Sequence, residues 1–317
     1  MTRRKIGGSG LQVAPLMLGG NVFGWTIDEA TSFRILDAFV DAGFDFIDTA
    51  DVYSRWAPGN QGGESEAIIG KWFRQSGKRD RVVIATKVGM EMGPDAQGLG
   101  REHIMKAVED SLRRLQVDHI DLYQSHKDDE STPIEETLGA YADLIRQGKV
   151  RAIGASNFTA ARLRQALDAA KASNLPAYQC LQPHYNLAER ALFEDELEAV
   201  CVENDLGVIP YYSLAAGFLT GKYRSEADLG KSPRGKGAAK YLNPRGMGIL
   251  AALDGVAARL DSTPARVALA WLIARPSITA PIASATSLEQ LDDLIAATRL
   301  ELDAESLATL DRAGGPA

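Results

Sequence analysis

Phe44-Asp45-Phe46-Ile47-Asp48-Thr49-Ala50-Asp51-Val52-Tyr53 is the stretch whose reading decides the fold. Phe44, Phe46 and Ile47 form a short apolar run behind Gly43, the mark of a buried strand. The run ends on polar residues, so Asp48 falls at the strand's C-terminal end and Tyr53 in the loop beyond it. A carboxylate and a phenol so placed can act as a charge anchor and a proton donor. Equally, Asp48 can cap the loop while Tyr53 packs, and only the surrounding chain can choose.

Upstream, Asp28 to Ala42 carries Phe33, Leu36, Phe39 and Val40 at helical spacing and stops at Gly43, a helix C-cap. Before that, Lys5 to Gly19 reads as a hairpin turning at Gly7, Gly8 and Gly10 and running into a first strand, Leu16-Met17-Leu18. Downstream, a helix over Glu64–Gln75 leads to a β-branched run, Val82 to Lys87, and a helix lined by Ile104, Val108, Leu112 and Leu115 leads to Ile120–Tyr123. Thr132-Pro133-Ile134-Glu135 predicts a helix start with Thr132 as cap, and that helix ends near Gly148. The alternation continues with strands at Val150–Ala155, Tyr178–Gln182, Gly207–Tyr212 and Ile278–Ala283. Helices follow around Arg162–Ala172, Leu192–Asn204, Ile249–Leu260, Pro264–Ala274 and Ser287–Ala297, with a long glycine-rich, basic segment over Leu214–Gly248.

Short buried runs separated by helices imply parallel strands joined by right-handed crossovers, and eight such units close a (β/α)8 barrel. The expected class is therefore α/β: a TIM barrel with an N-terminal β-hairpin and extra C-terminal helices, one domain over residues 1–317. The rival, a doubly wound open sheet, would show G-x-G-x-x-G after its first strand. The nearest match, Gly246-Met247-Gly248-Ile249-Leu250-Ala251, follows Asn243-Pro244-Arg245 instead, and its glycines are assigned to the loop.

Composition is that of a globular protein, 45% apolar and 24% charged, and the net charge of −7 disfavours a nucleic-acid partner. Cys180 and Cys201 form no C-x-x-C pair and lie near no histidine cluster, so neither a disulfide framework nor a metal site is expected. The N-terminus lacks an apolar run behind its basic residues, and no segment approaches a membrane span, so the expected location is cytoplasmic.

In a barrel the C-terminal ends of all strands open on one face. That brings Asp48 and Tyr53 together with Lys87, His126, Ser156, Asn157, Gln182 and Tyr211. A lysine ending an apolar strand needs a partner, and Asp48 on the adjacent strand supplies one. Lys87 can then lie against Tyr53 and lower its pKa, making the phenol a general acid, while His126 orients a carbonyl.

With these positions in place, the chain resembles the aldo-keto reductase family, in the bacterial type with a long loop after strand seven. Asp48, Tyr53, Lys87 and His126 match the family's tetrad in order, and Asp48-Thr49-Ala50-Asp51-Val52-Tyr53 matches D-x-A-x-x-Y. Gly154–Phe158, Gln182–Asn186, Gly217–Tyr223 and Ser284–Gln290 match as well, so the resemblance spans nearly the whole chain. It implies NADP(H)-dependent reduction of a small carbonyl substrate, with the dinucleotide extended across the barrel mouth. By the same carry-over, Ser156, Asn157 and Gln182 hold the carboxamide and Tyr211 stacks on the nicotinamide. Ser213, Leu214 and Lys222 line the pyrophosphate, Ser284, Thr286 and Gln290 reach the adenosine end, and Gly20, Asn21, Asp48 and Gly217 complete the set. Many members carry an asparagine where this chain has Leu294 and a lysine or arginine where it has Ser287, so Arg234 is assigned as the replacement cation for NADPH. Phe23, Trp25 and Trp56 are expected to border the open side of the pocket. The alternative is a nucleotide-sensing regulatory subunit of the same fold.

Overall fold

The chain opens with a turn that Gly7 and Gly10 make possible, at φ of 50° and 78°. It folds β1 (Arg4–Lys5) antiparallel onto β2 (Gln12–Val13). Our computed structural model describes residues 2–315. Beyond the hairpin lie β3 (Met17–Gly19), β4 (Phe46–Asp48), β5 (Val83–Val88) and β6 (Ile120–Ser125), then β7 (Val150–Ser156), β8 (Cys180–Gln182), β9 (Gly207–Val208) and β10 (Ile282–Ala283). These eight pair in parallel in chain order, and β10 returns to pair with β3. Between β9 and β10, Thr279 N–H donates to Val208 O at 2.8 Å and Ile282 N–H to Pro210 O at 2.9 Å. The sheet therefore closes on itself as a (β/α)8 barrel.

The helices are α1 (Glu29–Asp41), α2 (Glu64–Ser76), α3 (Arg101–Leu115), α4 (Ile134–Arg146) and α5 (Ala160–Ala172), followed by α6 (Glu196–Glu203), α7 (Pro244–Arg259), α8 (Pro264–Ile273), α9 (Leu288–Ala297) and α10 (Ala304–Gly314). Asp28, Thr159, Asn243, Thr263, Ser287 and Asp303 each cap a helix by accepting the N–H three residues on.

Several boundaries differ from the sequence reading. Thr132 caps nothing, because its hydroxyl donates to Asp129 Oδ2, and α4 begins behind Pro133. The helix expected from Leu192 starts at Glu196, leaving Leu192 exposed. Gly246 and Gly248 lie inside α7, and a Cβ on Gly246 would come 1.9 Å from Tyr241 O, so that glycine serves helix packing. The long segment after β9 is built from 3-10 turns over Ala215–Thr220, Glu226–Lys231 and Gly235–Tyr241.

Period-two alternation sorts the strands into two cores. Ile47, Ile84, Tyr123, Ile153 and Leu181 face the helices. Phe46, Ala85, Leu122, Ala152 and Cys180 point into the barrel, where Ile6, Leu11 and Val13 of the hairpin join them. The hairpin thus plugs the barrel's N-terminal end, and every inward residue two positions further along its strand belongs to the other end.

Candidate active site

That parity determines which side chains meet. Two residues past Phe46 is Asp48, two past Ala85 is Lys87, and two past Cys180 is Gln182. Lys87 is fully buried and its ammonium donates to Asp48 at 2.8 Å, to Thr49 O at 2.9 Å and to Tyr53 Oη at 2.8 Å. Tyr53 in turn donates to Asp48 Oδ2 at 2.9 Å, and Gln182 Nε2 to Asp48 Oδ1 at 3.0 Å. Every ammonium proton has an acceptor, the condition under which a buried charge is tolerable.

The electrostatics reverse one expectation. Burial, then the Asp48 carboxylate, push Tyr53 well above the ordinary tyrosine range, although the sequence reading had Lys87 lowering it. The cause is that Lys87 is bound to Asp48, so the pair presents the phenol with little net positive charge, while ionising Tyr53 would put a phenolate against a carboxylate. Burial also lowers Lys87, with Asp48 opposing it. The ring of His126 stands 6.0 Å from that of Tyr53, edge to face. Burial and the charges of Lys87 and Lys127 hold His126 well below the usual histidine range, so it is neutral and can donate one ring N–H.

Around these groups Trp56, 49% exposed, packs edge-on to Tyr53 and to Trp25, forming an aromatic rim. Phe23 is not part of that rim: it is fully buried, and its carbonyl accepts the Ser54 hydroxyl at 2.6 Å. Its role is to support the loop that carries Tyr53.

Ser156, Asn157, Gln182 and Tyr211 also come together. Ser156 Oγ donates to Gln182 O at 2.9 Å, and Tyr211 Oη donates to Asn157 Oδ1 at 2.7 Å. Because Thr159 caps α5, Asn157 is left for this contact. Ser213 is buried with its hydroxyl on Pro210 O, and Ser284 Oγ donates to Asn21 Oδ1 at 2.6 Å across the β10–β3 seam. Gln290 is engaged locally, its Oε1 accepting from Thr286 N and Oγ1.

The sequence reading missed Gln124, which approaches Gln182 Nε2 at 3.4 Å. It stands two residues before His126 on β6, so strand parity alone would have found it. It also missed a carboxylate pair outside the barrel wall. Glu66 accepts from Thr86 Oγ1 and Arg114 Nε, whereas Asp51 is buried with both oxygens unpartnered and its carboxyl pushed up to about 8, by burial first and then by Glu66. No local pattern announces Glu66, which depends on how α2 packs on β5.

Residues 15–314 match the model of the Aldo/keto reductase family. The chain belongs to that family. Relatives of this aldo/keto reductase include YrpG of Bacillus subtilis, described as an uncharacterized oxidoreductase, 39% identical over 96% of this chain and 94% of that protein. A probable voltage-gated potassium channel subunit beta of Arabidopsis thaliana is 33% identical over 92% of this chain and 90% of its own. The aldo-keto reductase yakc [NADP(+)] of Schizosaccharomyces pombe is 30% identical over 89% and 81%.

The loop after β9 is rich in cations, only some of which are neutralised by carboxylates. Its Arg224 and Lys231 are paired with Asp254 and Asp228, both at 2.7 Å. Lys240 is paired with Glu189 at 2.6 Å, while among the described residues Lys222, Arg234 and Lys236 of this loop have no carboxylate partner; Lys222 lies over the Tyr223 ring, and Arg234 is desolvated beside Tyr212, Tyr223 and Tyr53. A Cβ on Gly217, which sits at φ +89°, would come 3.2 Å from Lys222 Nζ, so glycine leaves that ammonium its room. Unpaired cations held against a backbone without side chain suit an anion. Among the described residues no group of three or more His, Cys, Asp or Glu could hold a metal ion, and no helix is long and apolar enough to cross a membrane.

Proposed function

We propose that the protein reduces an aldehyde or ketone to an alcohol with NADPH, and that Tyr53 is the general acid. The observation carrying this reading is the Tyr53 hydroxyl held between Asp48 at 2.9 Å and Lys87 at 2.8 Å. The bound nicotinamide supplies a hydride to the carbonyl carbon. Tyr53 keeps its proton across the physiological range, because burial and Asp48 raise its pKa, and it gives that proton to the far more basic alkoxide oxygen. As the proton leaves, Lys87 offers an ammonium to the phenolate, and Asp48 keeps that ammonium charged inside the barrel. Neutral His126 donates a hydrogen bond that orients the carbonyl.

For the cofactor, Lys222 and Arg234 would take the phosphates, Ser156, Asn157 and Gln182 the carboxamide, Tyr211 the nicotinamide face, and Ser284, Thr286 and Gln290 the adenosine end. The preference for NADPH is supported by Lys222 and Arg234, which no carboxylate neutralises, and by the name of the Schizosaccharomyces relative. The exposed Trp56 beside Tyr53 favours apolar or aromatic carbonyl compounds. The test is NADPH consumption with a panel of aldehydes and ketones by wild type and Tyr53→Phe. Equal, slow rates in both would remove the catalytic assignment, and a higher kcat/KM with NADH would remove the cofactor preference.

A second reading, a nucleotide-sensing regulatory subunit, is favoured by the likeness to the Arabidopsis channel subunit. It predicts tight nucleotide binding with turnover that Tyr53→Phe does not slow.

A further inference from the structure

The sequence gives His184 no task beyond packing, but its surroundings are organised around Tyr211. Tyr211 N–H donates to Pro183 O at 2.9 Å, which sets the chain segments of His184 and Tyr211 side by side as a parallel bridge beyond β8 and β9. The imidazole lies against the Tyr211 phenol with ring centroids 5.2 Å apart and planes 24° apart, and it meets Tyr212 edge-on, also at 5.2 Å. The Tyr211 hydroxyl is tied at its far end to Asn157 Oδ1. One face of Tyr211 is therefore covered and its edge anchored. His184 Nε2, by contrast, is buried without a hydrogen-bond partner, so no other group competes with the Tyr211 stack for the ring.

We propose that His184 is a positioning residue for the nicotinamide end of the cofactor site: its ring backs Tyr211, fixing that phenol as a platform, and its charge state sets how well the platform holds the positively charged oxidised ring against the neutral reduced one. The inference rests on the reading above in which Tyr211 stacks on the nicotinamide. Three groups around His184 matter to its charge. Lys240 disfavours the imidazolium, Glu189 favours it while being held by Lys240 at 2.6 Å, and burial outweighs both, leaving His184 below the ordinary histidine range and so uncharged near neutrality. A positive charge on the covered face of Tyr211 would sit two ring-stacks from the nicotinamide. At that distance, in the effective dielectric of a protein surface, it would weaken binding of the oxidised cofactor by about tenfold and leave the reduced cofactor nearly untouched.

The test is calorimetric titration of the purified protein with NADP+ and with NADPH, using wild type, His184→Phe, His184→Arg and Tyr211→Ala. Arginine stacks on aromatic faces and brings a permanent charge, while phenylalanine keeps the platform without any. The expected result is that His184→Phe binds both cofactors like wild type, and that His184→Arg keeps NADPH affinity while its NADP+ affinity falls by about tenfold. Retained NADPH binding is the control for folding. If His184→Arg changes both affinities by the same factor while Tyr211→Ala weakens both, the inference about His184 is overturned and the stacking role of Tyr211 stands. If Tyr211→Ala leaves both affinities unchanged, the stacking reading falls and takes the inference with it.

Discussion

Lys87, a charge with no solvent exposure, is where chemistry and stability meet. Removing it as Lys87→Met deprives the phenolate of its counter-charge, and we expect kcat to fall by about 10²–10⁴. The same change leaves the Asp48 carboxylate buried with only Tyr53 and Gln182 as donors, which costs about 3–5 kcal/mol in urea unfolding. The double variant Asp48→Asn, Lys87→Met should recover most of that stability and none of the activity, separating the two roles. Asp51 is the second charge to test. A carboxyl whose folded pKa is raised to about 8 binds more protons folded than unfolded, so its contribution makes stability fall as pH rises from about 4 to 8 and level off beyond. Asp51→Asn cannot ionise. Unfolding free energies at pH 5.5 and 8.5 should differ by a few kcal/mol less in the variant than in wild type, and an unchanged difference would show that Asp51 is solvated in solution. Neither the sign of the Tyr53 shift nor the state of Asp51 was legible in the sequence, because both depend on burial and on the partner a charge finds first.

At the level of elements, legibility followed periodicity. β5, expected over Val82–Lys87 and found over Val83–Val88, announced itself by its β-branched run, and α1 by the glycine that follows it. The two-residue β9 was expected over Gly207–Tyr212, and the pairing with the β8 segment does run on past Val208, through Ile209 N–H to Leu181 O at 3.0 Å and Tyr211 N–H to Pro183 O at 2.9 Å, while Val208 O and Pro210 O accept from Thr279 and Ile282 at the closing seam. The segment after β9 carried no period at all, so its 3-10 turns and its ion pairs were invisible until the fold placed Asp254 against Arg224. The family resemblance assigned Lys222 to the pyrophosphate and Arg234 to the ribose phosphate. Two outcomes follow for this segment. Lys222→Ala should weaken both NADPH and NADH, as a pyrophosphate contact would, and flatten the salt dependence of binding. Arg234→Ala should narrow the preference for NADPH over NADH, measured as the ratio of the two kcat/KM values. A uniform loss with both cofactors would move Arg234 from the ribose phosphate to the pyrophosphate.

Taken whole, the molecule separates the end that holds the barrel shut from the end that would do chemistry. The hairpin belongs to the first. Arg4 donates to Ile278 O and Ile273 O, both at 2.8 Å, and Ala14 N–H donates to Asp45 Oδ1 at 3.0 Å, so the plug is fastened to both sides of the β10–β3–β4 arc. Ile6 is fully buried among the inward residues of that end. Ile6→Ala should therefore destabilise the protein by about 2–5 kcal/mol, as a large-to-small change in a close-packed core does. The Tyr53–Lys87–Asp48 contacts lie a full layer of inward side chains away, at the other end of the same strands, so kcat measured well below the unfolding transition should stay within about twofold of wild type if the effects are independent. Cofactor provides the cross-check. A ligand that binds only the folded chain adds about 2.7 kcal/mol at a hundred times its Kd, and that increment should be the same in wild type and Ile6→Ala. An increment that shrinks in the variant would mean that the plug and the cofactor site are coupled through the barrel interior, and the two ends could then no longer be treated as independent.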